Sequence, residues 1–182
     1  IAAISAYNVS GMLNRSGFSR ANQNGPEEYG FRGNARNLDL NRDFIKADSK
    51  NAKSFHEIFQ WLKPDVFIDN HVSNGADYQY TFTYISTFKE RLGEILGEYF
   101  HNDFQAKNLQ ELKKLGYEST PYVNIHGDIP DTGFAAFEDS PRYSTGYASL
   151  FNTMATMPET HMLKPYDKRV DATYHYMLVN LQ

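Results

Sequence analysis

The sequence contains no cysteine, and that absence excludes disulfides, thiolate metal sites and cysteine nucleophiles together. Any metal would have to be held by His, Asp or Glu. Long apolar runs are missing too: no stretch approaches the ~18 apolar residues of a membrane span, and no signal peptide is recognisable. There is no excess of positive charge. Eighteen basic residues face 22 acidic ones, a net charge of −4, so no nucleic-acid partner is expected. A Gly-x-Ser-x-Gly elbow is absent, which disfavours an α/β hydrolase with a serine nucleophile. No internal repeat or low-complexity tract breaks the chain.

What is present is 182 residues, 15% of them aromatic, enough for one domain over residues 1–182 with a substantial core. The chain opens on Ile1 in what reads as the middle of a strand, so the polypeptide is expected to extend upstream. Ile1 to Tyr7 reads as a short strand that ends in the turn-forming cluster Asn8-Val9-Ser10-Gly11. Residues 14–36, rich in Asn, Gly, Arg and Ser, read as one long ordered loop, and loops of that length are usually functional or disordered. Asp48 is placed to cap a helix whose apolar positions Ala52, Phe55, Ile58, Phe59 and Leu62 recur at helical spacing up to Pro64. Val66 to Asn70 reads as a buried strand. Tyr80, Phe82 and Tyr84 alternate within Gly75 to Ile85, as a strand or an ordered aromatic loop. Phe88 to Leu115 reads as helical, with Leu92, Ile95, Leu96, Tyr99 and Phe100 on one face. Residues 117–141 read as loop. Thr153 to Glu159 is a strand, and Tyr166 to Leu181 a helix with Val170, Tyr174, Met177, Leu178 and Leu181 inward. Such alternation fits an α/β layered sheet.

The most informative stretch is Asn37-Leu38-Asp39-Leu40-Asn41-Arg42-Asp43-Phe44, followed 29 positions after Arg42 by His71, where the run Val66-Phe67-Ile68-Asp69-Asn70 stops. A polar residue at the carboxyl end of a buried strand faces the ligand crevice of an α/β fold. An Arg beside an Asn makes a carboxylate clamp, because the guanidinium fork binds planar anions through two bonds. The pair points to anion binding joined to metal or acid–base chemistry. Each residue has a plainer alternative: His71 as a buried histidine bonded to a carbonyl, Asn41 and Arg42 as a turn with an ion pair to Asp39 or Asp43.

At these positions the chain resembles the C-terminal part of a zinc carboxypeptidase of the carboxypeptidase A/B type. The matching pieces come in family order. Asn8-Val9-Ser10-Gly11 resembles the family's Asn-Pro-Asp-Gly turn, Phe18-Ser19-Arg20 the segment with its oxyanion arginine, and Asp39-Leu40-Asn41-Arg42-Asp43-Phe44 its carboxylate-binding Asn-Arg motif. Asp69-Asn70-His71 resembles the strand end that gives the third zinc ligand, and Met157-Pro158-Glu159-Thr160 the late strand with the catalytic glutamate. The resemblance runs from about Tyr7 to the C-terminal helix.

It implies a three-layer α/β fold, a mostly parallel or mixed sheet flanked by helices and incomplete on its N-terminal side. It implies one zinc ion, a peptide substrate with a free C-terminal carboxylate, and an extracytoplasmic or secreted bacterial setting. The roles carried over are His71 as metal ligand, Glu159 as general base, Arg20 at the oxyanion, and Asn41, Arg42 and Tyr143 on the substrate carboxylate. Arg20 has rivals in Arg15, Arg32 and Arg36, Glu159 in Glu138, and Tyr143 in Tyr147, while His161 either supports Glu159 or lies on the strand's other face. One departure is large. The family's first two ligands form a His-x-x-Glu motif, and none of His56, His71, His101, His126, His161 and His175 has Glu three positions later. This chain alone is therefore expected to bind zinc weakly or not at all, and a catalytically inactive carboxylate-binding module is the alternative to a metallocarboxypeptidase.

Overall fold

A computed structural model describes residues 1–181. The expected strand over Ile1–Tyr7 does not form: no strand pairs with it, and residues 1–5 are exposed. The turn-forming cluster is instead the start of a short helix, α1 (Val9–Leu13), because the Asn8 side chain accepts from Gly11 N at 3.0 Å and caps it. The loop that follows carries only a small antiparallel pair, β1 (Arg15–Ser16) and β2 (Tyr29–Gly30).

Helix α2 (Lys50–Leu62) is capped one residue later than expected. Ser49 Oγ accepts from Ala52 N at 2.9 Å, whereas Asp48 pairs with Lys46. Strands β3 (Val66–Ile68), β4 (His71–Ser73) and β5 (Phe82–Ser86) follow. The expected long helix is three segments: α3 (Gly93–Tyr99), a π-helical turn (Phe100–Phe104) and α4 (Gln105–Lys114). Within the expected face Leu92 and Phe100 are buried while Ile95 and Tyr99 are exposed, so the buried stripe of α3 is narrower than its apolar one. The expected loop over 117–141 holds β6 (Ser119–Pro121) and a hairpin of β7 (Val123–Ile125) and β8 (Phe134–Ala136). Then come α5 (Ser144–Ser149), β9 (Met154–His161) and α6 (Tyr166–Val179).

The sheet is mixed, in the order β3-β9-β5-β6, with β4 also on β9. Strand β9 is its axis. It runs parallel to β3 and β4 and antiparallel to β5, and all eight of its residues are buried. Its odd residues look one way: Ala155 packs with Phe44, Phe55, Phe59, Tyr147 and Ala148 under α2 and α5. Its even residues look the other way, and Met154 packs with Leu92 and Phe100 of the α3 side. On that second face Phe82 of β5 meets Leu112, Ala172 and Tyr176 from α4 and α6. Helices thus cover both faces, as a largely buried sheet requires.

Two local findings place the site. Asp69 N donates to Thr156 O and Met162 N to Ser73 O, so the even residues of β9 turn their backbone groups toward β3 and β4. Pro158, which has no N–H to give, falls where β3 breaks and β4 begins. The break at Asp69-Asn70 leaves the strand half-buried, not fully buried as expected, and sets His71 beside Glu159.

The inward face of α6 is also not the expected one. Arg169, Ala172, Tyr176 and Val179 are buried, while Val170, Tyr174, Met177, Leu178 and Leu181 are partly or largely exposed. Ala172 allows close approach to Phe82 and Leu112. Arg169 is tolerated inside because its guanidinium donates to the carbonyls of Lys164 at 3.0 Å and Asn24 at 2.7 Å.

Candidate active site

His71 and Glu159 face each other across β4 and β9, on the odd-residue face of β9. His71 Nδ1 lies 3.9 Å from Glu159 Oε1, and Nε2 lies 2.8 Å from Asp69 Oδ2. Glu159 is 8% exposed, and its Oε2 has no hydrogen-bond partner among the described residues. Burial pushes the Glu159 carboxyl up to about 7, with His71 acting against the rise, Asp69 adding to it, and Arg32 and Arg42 opposing it. For His71 burial acts downward, but the charge and hydrogen bond of Asp69, helped by Glu159, outweigh it and bring the imidazole up to about 9. Burial likewise acts upward on Asp69, and the charge and hydrogen bond of His71 overcome it, so that carboxyl sits below its usual range. The centre is an imidazolium held between two carboxyl groups, one of them with a free oxygen.

Asn41 and Arg42 lie in a 3-10 turn, Leu40–Arg42, whose first N–H is capped by Asp39: Oδ1 accepts from Asn41 N at 3.0 Å. Phe44, just beyond, anchors the turn in the core beneath α2 and α5. Arg42 makes no ion pair with Asp39 or Asp43. Asp39 Oδ2 takes both Nε and Nη2 of Arg32 at 2.9 Å, and Asp43 accepts from the backbone N–H groups of Asp48 and Ser49. The Arg42 guanidinium donates to Asn41 O and stacks over the Tyr143 ring, 4.8 Å from its centroid. The Oδ1 of Asn41 is buried and unpartnered among the described residues.

A cavity of about 450 Å³ opens beside this centre, lined among others by Arg20, Arg32, Asn41, Asn70 and His71. Arg20, Asn41 and His71, singled out in the sequence, thus line one cavity, while Glu159, Arg42 and Tyr143 stand outside its lining. Arg32 is the guanidinium whose charge acts on both His71 and Glu159. For Arg20 the charged neighbours are Arg32 and Asp39.

The rivals separate on packing. Tyr147 is buried and stacked on His56 at 4.7 Å, inside the core. The Glu138 side chain is 76% exposed and paired with Arg91. His161 shares the face of Glu159 two residues on; its Nδ1 accepts from Leu163 N at 3.3 Å and lies 3.7 Å from Asp77. The roles of Asp69 and of the Arg32–Asp39 pair were missed. Asp69, two residues before His71 at a strand break, carried the available signal for its contact; nothing in the sequence ranked Arg32 above its neighbours.

The donor set does not by itself suit a zinc ion. Such a site needs three protein ligands, and among the described residues no group of three His, Asp or Glu is gathered to hold a metal. His71 offers the one imidazole, with its two nitrogens turned to Asp69 and Glu159.

No protein-family model and no curated protein matches the sequence. The architecture, a mixed sheet between helix layers, is carboxypeptidase-like. Among solved structures it is similar to the metallo-carboxypeptidase from Burkholderia cenocepacia, with TM-score 0.56 and 13% identity, over 84% of this chain and 39% of that one. The likeness is one of fold, and the chain spans about two fifths of that protein's length.

The two raised groups make stability fall with pH. A group that binds its proton more tightly when folded stabilises below its unfolded pKa and loses that contribution as pH rises through its folded pKa. For Glu159 the window runs from about 4.5 to about 7, and for His71 from about 6.5 to about 9. Because the groups interact, the fall is shared between them. Glu159→Gln is expected to flatten the decline between about pH 4.5 and 7 and to reduce, without abolishing, the decline above it, since Asp69 remains. Urea midpoints measured across this range check it. A variant that tracks the wild type below pH 7 would mean that Glu159 ionises normally.

Proposed function

We propose that this chain is the carboxylate-recognising and proton-transferring part of a metallocarboxypeptidase-like site, which cleaves the terminal residue from a peptide with a free C-terminal carboxylate. The observation that carries the reading is the placing of the unpaired Arg42–Asn41 turn beside the His71–Glu159 centre. Asn41 and Arg42, with Tyr143 stacked behind the guanidinium, hold the terminal carboxylate and so select chain ends. Glu159, buried with one oxygen free, takes a proton from the attacking water and returns it to the leaving amine, work best done by a carboxyl with a pKa near the working pH. The resemblance gave the developing oxyanion to Arg20. Arg32, whose charge reaches both His71 and Glu159 and whose fork is fixed by Asp39, suits that position better.

His71 is the one metal ligand the resemblance assigns to this chain, and zinc would supply Lewis-acid chemistry only where further ligands join it. The alternative reading is a carboxylate-binding module that uses the same Asn41–Arg42 turn and does not cut.

Binding comes first in both readings. Titration calorimetry of the chain with a short acetylated peptide and its C-terminal amide should show the free acid bound at least about tenfold more tightly. Arg42→Gln should erase the difference. Equal binding of acid and amide to the wild-type chain defeats both readings. Where the acid is preferred, release of its terminal amino acid decides for the peptidase and its persistence intact for the binder.

A further inference from the structure

The first 42 residues hold five arginines, no lysine and three acidic residues, in a chain whose net charge is −4. An all-arginine cationic face suits flat, forked anions better than point charges. Within the cavity, two of the three guanidiniums are already matched: Arg15 lies 3.8 Å from Glu28, and Arg32 is bound through two nitrogens to Asp39. Arg20 is not. It forms no ion pair and no side-chain hydrogen bond among the described residues, although it is partly buried on the wall that also carries Asn41 and His71.

Arg42, the other guanidinium of the site without an ion pair, donates to Asn41 O and stacks on Tyr143. Two guanidiniums without ion pairs are thus tied to one asparagine: Arg20 shares the 450 Å³ cavity with Asn41, and Arg42 is its neighbour in the chain. A partly buried guanidinium with no direct anionic partner gains when an anion joins it, and a substrate with a single carboxylate would satisfy only one of the two forks.

We propose that the Arg20 cavity receives a second carboxylate, so that the preferred ligand is a peptide whose last residue is acidic, its main-chain carboxylate on Asn41 and Arg42 and its side-chain carboxylate on Arg20. The inference rests on the carboxylate-clamp reading and adds to it the identity of the terminal residue. Arg20 is then the specificity-determining residue. The neighbouring amides of Gln23 and Asn70 line the same space and complete a polar lining for the incoming acid.

The experiment compares three ligands by calorimetry on the 182-residue chain: acetyl-alanyl-alanyl-glutamate, the same peptide ending in glutamine, and the glutamate peptide as its C-terminal amide. The glutamate peptide is expected to bind on the order of tenfold more tightly than the glutamine peptide, the size of one charge-assisted pair. Arg20→Gln should bring that ratio close to one. Its side chain holds nothing in the fold, so the variant should remain folded, and far-UV circular dichroism establishes that. Arg36→Gln, an exposed arginine outside the cavity lining, should keep the wild-type ratio. Equal binding of glutamate and glutamine peptides to the wild-type chain overturns the inference, as does a ratio that survives Arg20→Gln. If the amide binds as well as the free acid, the clamp reading itself fails and this inference falls with it; a free-acid preference without a glutamate preference removes the inference alone.

Discussion

Glu159→Gln is expected to lower turnover by on the order of 10²–10⁴ in any form of the protein that releases C-terminal residues, while peptide binding is retained. Glutamine keeps the shape of the side chain but cannot accept a proton from water. Two observations support that role for the carboxyl: burial that lifts its pKa to about 7, and an oxygen with no partner among the described residues. Glu138→Gln is the matched control. That carboxylate is exposed and paired with Arg91, so its loss should leave turnover within about twofold, as surface charges usually do. A normal rate in Glu159→Gln with loss in Glu138→Gln would transfer the base to the loop before α5. Loss of both binding and turnover in a folded Glu159→Gln would mean that the carboxylate orders the site instead of reacting.

Much of the frame was legible because strong periodic or terminating signals marked it. The apolar run of β9, the helix marked by Ala52, Phe55 and Phe59, and the strand with Phe82 and Tyr84 appear where pattern alone put them, although Ile58 and Leu62, read as part of the same helix stripe, are exposed. Three kinds of feature were not legible. The inward stripe of α6 competes with a more apolar stripe one position along, and the approach of Ala172 to the sheet and the carbonyls around Arg169 choose between them. The π turn at Phe100–Phe104 leaves no mark in the apolar spacing that would separate α3 from α4. The pairing of Arg32 with Asp39 depends on a loop folding back seven residues, and five arginines in one segment look alike until their partners are known. At the site, the sequence supplied the residue types and their order. Which guanidinium remains unpaired is a matter of tertiary geometry.

Gly146→Ala is expected to destabilise the protein by about 3 kcal/mol or more, the opposite sign to what helix propensity alone dictates. Alanine is the better helix former by about 1 kcal/mol, and Gly146 lies inside α5, where a more helical residue should help. The added methyl, however, would sit 2.0 Å from Asp139 O and 2.4 Å from Ser140 O. Both are backbone atoms, so no side chain can swing aside, and the loop or the helix must move. Overpacking of this kind commonly costs 1–3 kcal/mol and more where the backbone is the obstacle. The damage would not stay local. Tyr147 and Ala148, on the same short helix, pack with Phe55 of α2 and with Ala155 of β9, which lies on the same strand as Glu159, and Tyr143 at the head of α5 backs the Arg42 guanidinium. Denaturant unfolding should therefore show a lowered midpoint with an unchanged slope, and the folded fraction should bind the free-acid peptide more weakly than the wild type does. Should the variant prove as stable as the wild type, the loop at Asp139 and Ser140 does not press on α5, and the rigid support inferred for Tyr143 is lost with it.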